Sequence, residues 1–162
     1  MLGTVIGLHA NPNGGVPKHP VPVLEIKSIG CVGDKQNDKK HHGGVNKAVC
    51  LMEESILQRL QEAGHPIFPG STGENVLIQG LPTGVLRVGT RLSLGDVVLE
   101  ITGDAPPCKT IRESFQDGSF MHLSNKREFG TTRWYARVLV EGALSLNDQV
   151  RLLSGDEPVE SP

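Results

Sequence analysis

Short apolar runs separated by glycine turns constrain this chain more than any other feature. Arg91 to Leu94 and Val97 to Thr102 flank Gly95-Asp96, a dipeptide suited to a two-residue hairpin turn, whose central positions favour positive φ. Val85 to Val88 precedes them across Gly89-Thr90, and Val76-Leu-Ile begins another run ahead of the turn at Gly80 to Gly84. The signature recurs at Thr4 to His9, bounded by the turn-rich segment Ala10 to Gly15, and at Thr131 to Val140, where aromatic and β-branched residues combine. Val21 to Ile29 is apolar on both faces and reads as a largely buried strand ended by Gly30. Lys47 to Met52 and Asp148 to Leu153 read as further strands, with Gly142 to Leu146 turning the chain before the last of them.

One segment carries a clear helical period. Between Glu53 and Ala63, Ile56, Leu57 and Leu60 share a face, Glu53, Glu54, Gln58, Arg59 and Glu62 occupy the other, and Gly64 terminates the run. Many short strands with so little helix predict a mainly β chain: a closed or partly open β-barrel decorated by one or two short helices, an α+β arrangement. The 162 residues suit one domain over 1–153, and the polar, proline-containing segment 154–162 is expected to be disordered.

Composition narrows the function classes. Sixteen Lys plus Arg stand against 18 Asp plus Glu, so the basic excess of a nucleic-acid binder is missing. No run approaches the roughly 20 apolar residues that span a bilayer, and the start has no basic leader, so a soluble, cytoplasmic protein with no membrane partner is expected. Cys31, Cys50 and Cys108 are odd in number and widely spaced, which fits reduced thiols better than a disulfide framework or a CxxC pair.

Gly33 to Lys47 is a long polar loop between apolar strands. An EF-hand is excluded because the twelfth position from Asp34 is Val45, where a bidentate Glu is required. A P-loop is excluded by the lack of Gly-Lys-Ser/Thr, and adjacent His41 and His42 have no second ligand pair to complete a zinc site. Two readings survive, a solvated surface loop and an anion-binding loop. In the second, Gly43-Gly44 lets the backbone approach a ligand while His42 and Lys47 supply donors.

The chemistry concentrates at Asp104-Ala-Pro-Pro-Cys108-Lys109-Thr-Ile-Arg112. Two prolines ahead of Cys108 favour a short helix from Thr110 to Phe115, with the cysteine at its N-terminus. Unpaired backbone N–H groups there, together with Lys109 and Arg112, would favour thiolate over thiol. The alternative is a buried structural cysteine. Lys18, held between prolines, is a solvated charge or an anion contact. Asn75 is a turn former or a donor and acceptor beside a ligand, and Arg133 and Arg137 are surface charges or bidentate anion binders. His122 is left without a role.

In combination these residues resemble the MOSC domain, named for the C-terminal domain of molybdenum cofactor sulfurase. The matching pieces are Gly33-Asp34-Lys-Gln36-Asn-Asp38 running into His42-Gly43-Gly44 and Lys47-Ala48-Val49, then Gly73-Glu74-Asn75, the Gly89-x-Arg91 and Gly95 spacing, Pro107-Cys108, and Arg133-Trp134-Tyr135-Ala136-Arg137-Val138. They span about Val5 to Leu152, and their order carries the resemblance more than any one piece. It implies a mostly β barrel in which Cys108 carries sulfur or coordinates molybdenum in a pterin-bound cofactor. It also implies that His42, Gly43, Gly44, Lys47, Asn75, Lys109, Arg112 and Arg133 are cofactor-binding residues. A soft thiolate suits either role, and cationic and backbone donors suit a pterin phosphate.

The chain has no aminotransferase-like region with a pyridoxal-phosphate lysine, so no pyridoxal-phosphate site is expected. A separate electron or sulfur donor protein and a small-molecule substrate are the expected partners. Three hypotheses follow: a molybdenum-cofactor oxidoreductase acting reductively on small N-hydroxylated or related compounds, a sulfur carrier holding a persulfide on Cys108, and a binding module in which the cysteine is incidental.

Overall fold

The computed structural model describes residues 2–35 and 44–154. His42 and Gly43, and the segment 155–162 for which disorder is expected, lie outside the described residues. The strands are β1 (Leu2–Ala10), β2 (His19–Pro20), β3 (Val23–Lys27), β4 (Gly30–Cys31), β5 (Val49–Glu53), β6 (Val76–Gln79), β7 (Arg91–Leu94), β8 (Val97–Ala105), β9 (Arg133–Val140), β10 (Gly142–Ser145) and β11 (Gln149–Leu153). Among the described residues a single α-helix, α1 (Glu54–Glu62), follows β5 directly, and short 3₁₀ turns occupy Val45–Lys47, Lys109–Ser114 and Phe120–Leu123.

The order β11-β7-β8-β9-β5-β6-β1 closes on itself through the pairing of β1 with β11. This is a closed seven-strand barrel, as the pattern of short strands predicts, and closure removes the open edges that a sheet of this size would otherwise expose. One pair, β5 with β6, is parallel. Parallel neighbours need a crossover connection, and α1 with the loop leading to Asn75 supplies it. The hairpin at Gly95-Asp96 forms as expected, with Leu94 opposite Val97 and Gly95 at φ 55°. Leu24 and Ile26 of a small second sheet, β10-β3-β4, belong to the same apolar core as the barrel interior.

Four local expectations are corrected. Val85 to Val88 forms no strand: Leu86 is buried, but the stretch lies between turns and its backbone joins no ladder. Gly142–Ser145 is a strand instead of a turn, because its backbone pairs with the distant β3. β3 is shorter than Val21 to Ile29 and buried on one face only, with Leu24 and Ile26 inward and Val23, Glu25 and Lys27 outward. The strand expected from Lys47 starts at Val49, because Val45–Lys47 takes a 3₁₀ turn first.

The two-residue period of the strands decides what faces the site. In β5, Val49 and Leu51 belong to the barrel core, whereas Met52 packs against α1 and Cys50 against Ala105 and Tyr135. In β9, Trp134 and Ala136 fill the barrel, so Arg133 and Tyr135 stand on its outer wall. α1 covers part of that wall with Ile56, Leu57 and Leu60, each contributing about 1.5–3 kcal/mol of apolar burial. Among the described residues no helix is long and apolar enough to cross a membrane.

Candidate functional site

On the outer wall of the barrel, a cavity of about 220 Å³ lies over the cross-strand neighbours Cys50 and Tyr135. Three loops rim it: one carries Val16 and Lys18, one Thr72 and Gly73, and one Cys108 and Thr110. Arg133, opposite Ala105 in the β8–β9 register, joins two of these loops. Its Nη1 donates to the Thr72 carbonyl at 2.6 Å, and its Nη2 to the carbonyls of Ala105 and Pro106 at 3.2 and 3.3 Å. Arg133 is 5% exposed, its Nε–H has no partner among the described residues, and no carboxylate of those residues makes an ion pair with it. A buried cation with a spare donor and no counterion is a favourable place for an anionic ligand.

Cys108 follows Pro106-Pro107 in extended conformation and is half-buried at the cavity rim. Its Sγ lies 2.8 Å from Thr110 Oγ1, and its carbonyl accepts the Ile111 N–H at 3.1 Å. The expected helix after it is present as the 3₁₀ turn Lys109–Ser114. In such a turn residues three apart eclipse. Ile111 and Ser114 therefore face inward, and Lys109 and Arg112 both point to solvent and do not line the cavity. The two cations nearest Cys108 in sequence are thus not the ones that share its cavity.

Cys50 shares the cavity with Cys108 but not its environment. Burial pushes the Cys50 thiol up to about 11, against the pull of the Arg133 cation. Cys31 is also pushed up by burial, and its Sγ lies 3.6 Å from the Ala48 carbonyl. Both are buried free thiols, consistent with the reduced cysteines expected from their number and spacing.

Asn75 is a hub of the frame. Its side-chain carbonyl accepts the Cys50 N–H at 3.0 Å, and its Nδ2 donates to the His9 carbonyl at 3.2 Å and to Asp34 Oδ2 at 2.8 Å. Asp34 in turn accepts both short bonds from Lys18 Nζ, at 2.7 and 2.6 Å, and the Asn11 N–H at 2.9 Å. Lys18 is therefore neither of the two things its flanking prolines left open, a solvated charge or a free anion contact; it is a buried cation matched by Asp34. Glu74, fully buried, accepts the Gly70 N–H at 3.0 Å and the Thr72 hydroxyl at 2.9 Å, which shapes the loop beneath Arg133. Gly70 sits at φ 87° against the Lys18 carbonyl, and any Cβ would run into that carbonyl.

The remaining expected site residues fall elsewhere. Lys47 lies over the Tyr135 ring at 5.4 Å and lines a separate hollow, which Tyr135 also lines, with Glu100, Asp104 and Arg137. Arg137 pairs there with Glu100 instead of binding an anion in the Cys108 cavity. Gly44 is exposed at φ 83° with open space around its Cα. Sequence reasoning did not single out Thr72, Gly73, Thr110 or Tyr135 for the site, nor Cys50 as part of its wall. For Cys50 and Tyr135 a signal existed, since each sits one residue out of phase with the apolar core positions of its strand.

The family model of the MOSC domain matches residues 38–151. Among curated proteins, the uncharacterized protein YflK of Bacillus subtilis (strain 168) is 30% identical over 126 residues, covering 77% of this chain and 56% of that protein. Protein YiiM of Escherichia coli (strain K12) is 24% identical over 135 residues, covering 81% and 59%. The chain thus spans just over half the length of these relatives. Among solved structures, the YuaD protein of Bacillus subtilis superposes with a TM-score of 0.74 at 18% identity, covering 93% of this chain and 94% of that one. YiiM from Geobacillus stearothermophilus gives 0.71 at 19%, covering 98% and 79%. The barrel and the family match over most of its length agree, and the chain belongs to the MOSC domain family, which is associated with molybdenum-cofactor proteins.

Proposed function

We propose that this chain binds the molybdenum cofactor in the cavity beside Cys108, with the Cys108 thiolate as metal ligand, and acts in reductive oxygen-atom transfer on a small N-hydroxylated or related substrate. The observation that carries this reading is the buried Arg133 guanidinium, with an unpartnered Nε–H and no carboxylate in an ion pair, in the wall of a cavity whose rim bears an accessible thiol. These residues fit the group: a soft sulfur donor for molybdenum and a fixed cation for an anionic pterin. At about 220 Å³ the cavity is smaller than the 300–1,000 Å³ usual for whole ligands, so it suits one end of such a cofactor. When bound, the molybdenum centre would supply two-electron oxygen-atom transfer.

The chain's own groups have derivable parts in this. Cys108 must lose its proton to ligate, and the Thr110 hydroxyl at 2.8 Å then donates to the thiolate. Cys50, held protonated by burial, does not compete for the metal. Arg133 holds the Thr72 and Pro106 carbonyls at fixed separation, which sets the opening between the two loops. Asn75 and Asp34 act through Lys18 and the β5 backbone as positioning residues. Electrons or sulfur would come from a separate donor protein, and three free thiols suit the reducing cytoplasm in which we place the chain.

The test is molybdenum per chain in wild type and Cys108→Ser, purified anaerobically from a host that overproduces the cofactor. Near-stoichiometric metal that disappears in the variant supports the reading. Equal metal in both sinks Cys108 as ligand. No metal in either favours a sulfur carrier, which mass spectrometry of Cys108 for an added sulfur atom would then decide.

A further inference from the structure

We infer that His65, Asp117 and His122 form a second, independent site for a divalent transition metal of the zinc class. Each offers one ligand atom, and the three atoms lie within 4.8 Å of one another. A tetrahedral ion with bonds of about 2.0–2.2 Å needs ligand atoms roughly 3.3–3.5 Å apart, so modest side-chain shifts suffice. His122 Nε2 and Asp117 Oδ2 are 2.8 Å apart and must separate slightly, and Asp117 is exposed enough to move. The His65 and His122 rings lie 4.4 Å apart, tilted by 46°. Two imidazoles and one carboxylate select zinc, cobalt, nickel or copper over magnesium or calcium, which prefer all-oxygen shells.

The backbone already holds these side chains in position. His65 follows α1, with its N–H bonded to the Leu60 carbonyl at 3.1 Å and its ring edge-on to Phe115 at 5.4 Å. His122 lies in the 3₁₀ turn Phe120–Leu123, anchored by the fully buried Leu123. Asp117 Oδ1 accepts the Ser119 N–H at 2.9 Å, which fixes the carboxylate and leaves Oδ2 for the ion. One existing bond opposes ligation: His65 Nδ1 accepts the Gln116 N–H at 3.2 Å, and that long bond is given up whether the ion takes Nδ1 itself or takes Nε2 after the ring proton has moved to Nδ1. None of the three residues lines the Cys108 cavity. The ion would tie the end of α1 to the segment that follows Cys108, whose Ile111 and Phe115 pack in the same cluster as Ile56, Leu57 and Leu60. Its role is a staple on that segment, separate from the chemistry proposed for Cys108.

The experiment uses the full chain carrying Cys108→Ser, which removes the accessible thiol as a competing ligand, stripped with a chelator and titrated with Zn²⁺ alone by calorimetry. One ion per chain is expected, with Tm rising by roughly 5–10 °C at free zinc a hundredfold above Kd. Adding His122→Ala or, separately, the exposed Asp117→Asn is expected to weaken binding at least tenfold while leaving the metal-free circular dichroism spectrum unchanged. Co²⁺ in place of zinc is expected to give visible d–d bands without a thiolate charge-transfer band. Absence of zinc binding overturns the inference, as does binding that survives both substitutions or a cobalt spectrum with thiolate character.

Discussion

Glu53 closes β5 at the foot of α1, and its titration offers a quantitative check on the packing there. The residue is buried, and burial pushes its carboxyl up to about 7, with no cationic or hydrogen-bonding partner among the described residues pulling it back. In the unfolded chain the same carboxyl titrates near 4.3, so between about 4.3 and 7 the folded state holds a proton that the unfolded state has released. Stability therefore falls as pH rises through that window and levels off above it. Each pH unit of the window is worth about 1.4 kcal/mol, which gives a loss of about 3 kcal/mol between pH 4 and pH 8. Glu53→Gln keeps the shape and removes the titration. Urea unfolding should give similar stability for both proteins near pH 4.5, while at pH 8 the variant should exceed wild type by about 3 kcal/mol, or roughly 6–12 °C in Tm. Other titrating groups cancel in the difference. Parallel stability curves for the two proteins from pH 4.5 to 8 would refute the reasoning.

Two further outcomes follow from the site. Under native conditions at pH 8, excess maleimide should modify one thiol per chain, Cys108, because burial holds Cys31 and Cys50 in the unreactive protonated form; after denaturation all three should react, and equal native labelling of Cys50 would contradict the geometry. Asp34→Ala leaves Lys18 buried without its counterion and removes the acceptor for Asn75, so it should destabilise by about 3–5 kcal/mol, whereas Lys18→Met combined with Asp34→Leu should recover much of that loss. Equal losses in the single and double variants, read by urea unfolding, would show that the pair is not the cause.

Much of the fold is legible where partners are local in sequence. Gly95-Asp96 announces its hairpin because the turn alone sets the register, and the 3.6-residue period of Ile56, Leu57 and Leu60 announces α1 because the helix bonds are internal. The failures are non-local. Gly142–Ser145 becomes a strand only because β3 lies beside it, and Val85 to Val88 does not become one because nothing pairs with it, although Leu86 is as buried as any strand residue. The site divides in the same way. Cys108 stands out through its prolines and Arg133 through its neighbouring aromatics, but Lys109 and Arg112 mislead because nearness along the chain is not a shared direction in a 3₁₀ turn. Asp34 and Asn75, far apart in sequence, meet at 2.8 Å, and no local pattern announces that meeting.

The arrangement of charge explains why we propose Arg133, and not the cations adjacent to the cysteine, as the group that would hold an anion in the cavity. Lys18 lines the cavity, but Asp34 takes both of its short bonds and cancels its charge. Lys109 and Arg112 stand in water, where screening reduces their attraction to a few tenths of a kcal/mol or a little more. Arg133 alone among these is both buried and without an acidic partner in an ion pair, and its three carbonyl acceptors hold Nη1 and Nη2 without neutralising the charge and leave Nε–H unpartnered. Because β9 alternates, Trp134 fixes the strand in the barrel core while Arg133 is held on the opposite face, so the position of the charge is set by the packing of the residue next to it. On the function we propose, the anion would therefore be held by the barrel wall, with the Cys108 thiol at the rim of a cavity whose charge is already in place.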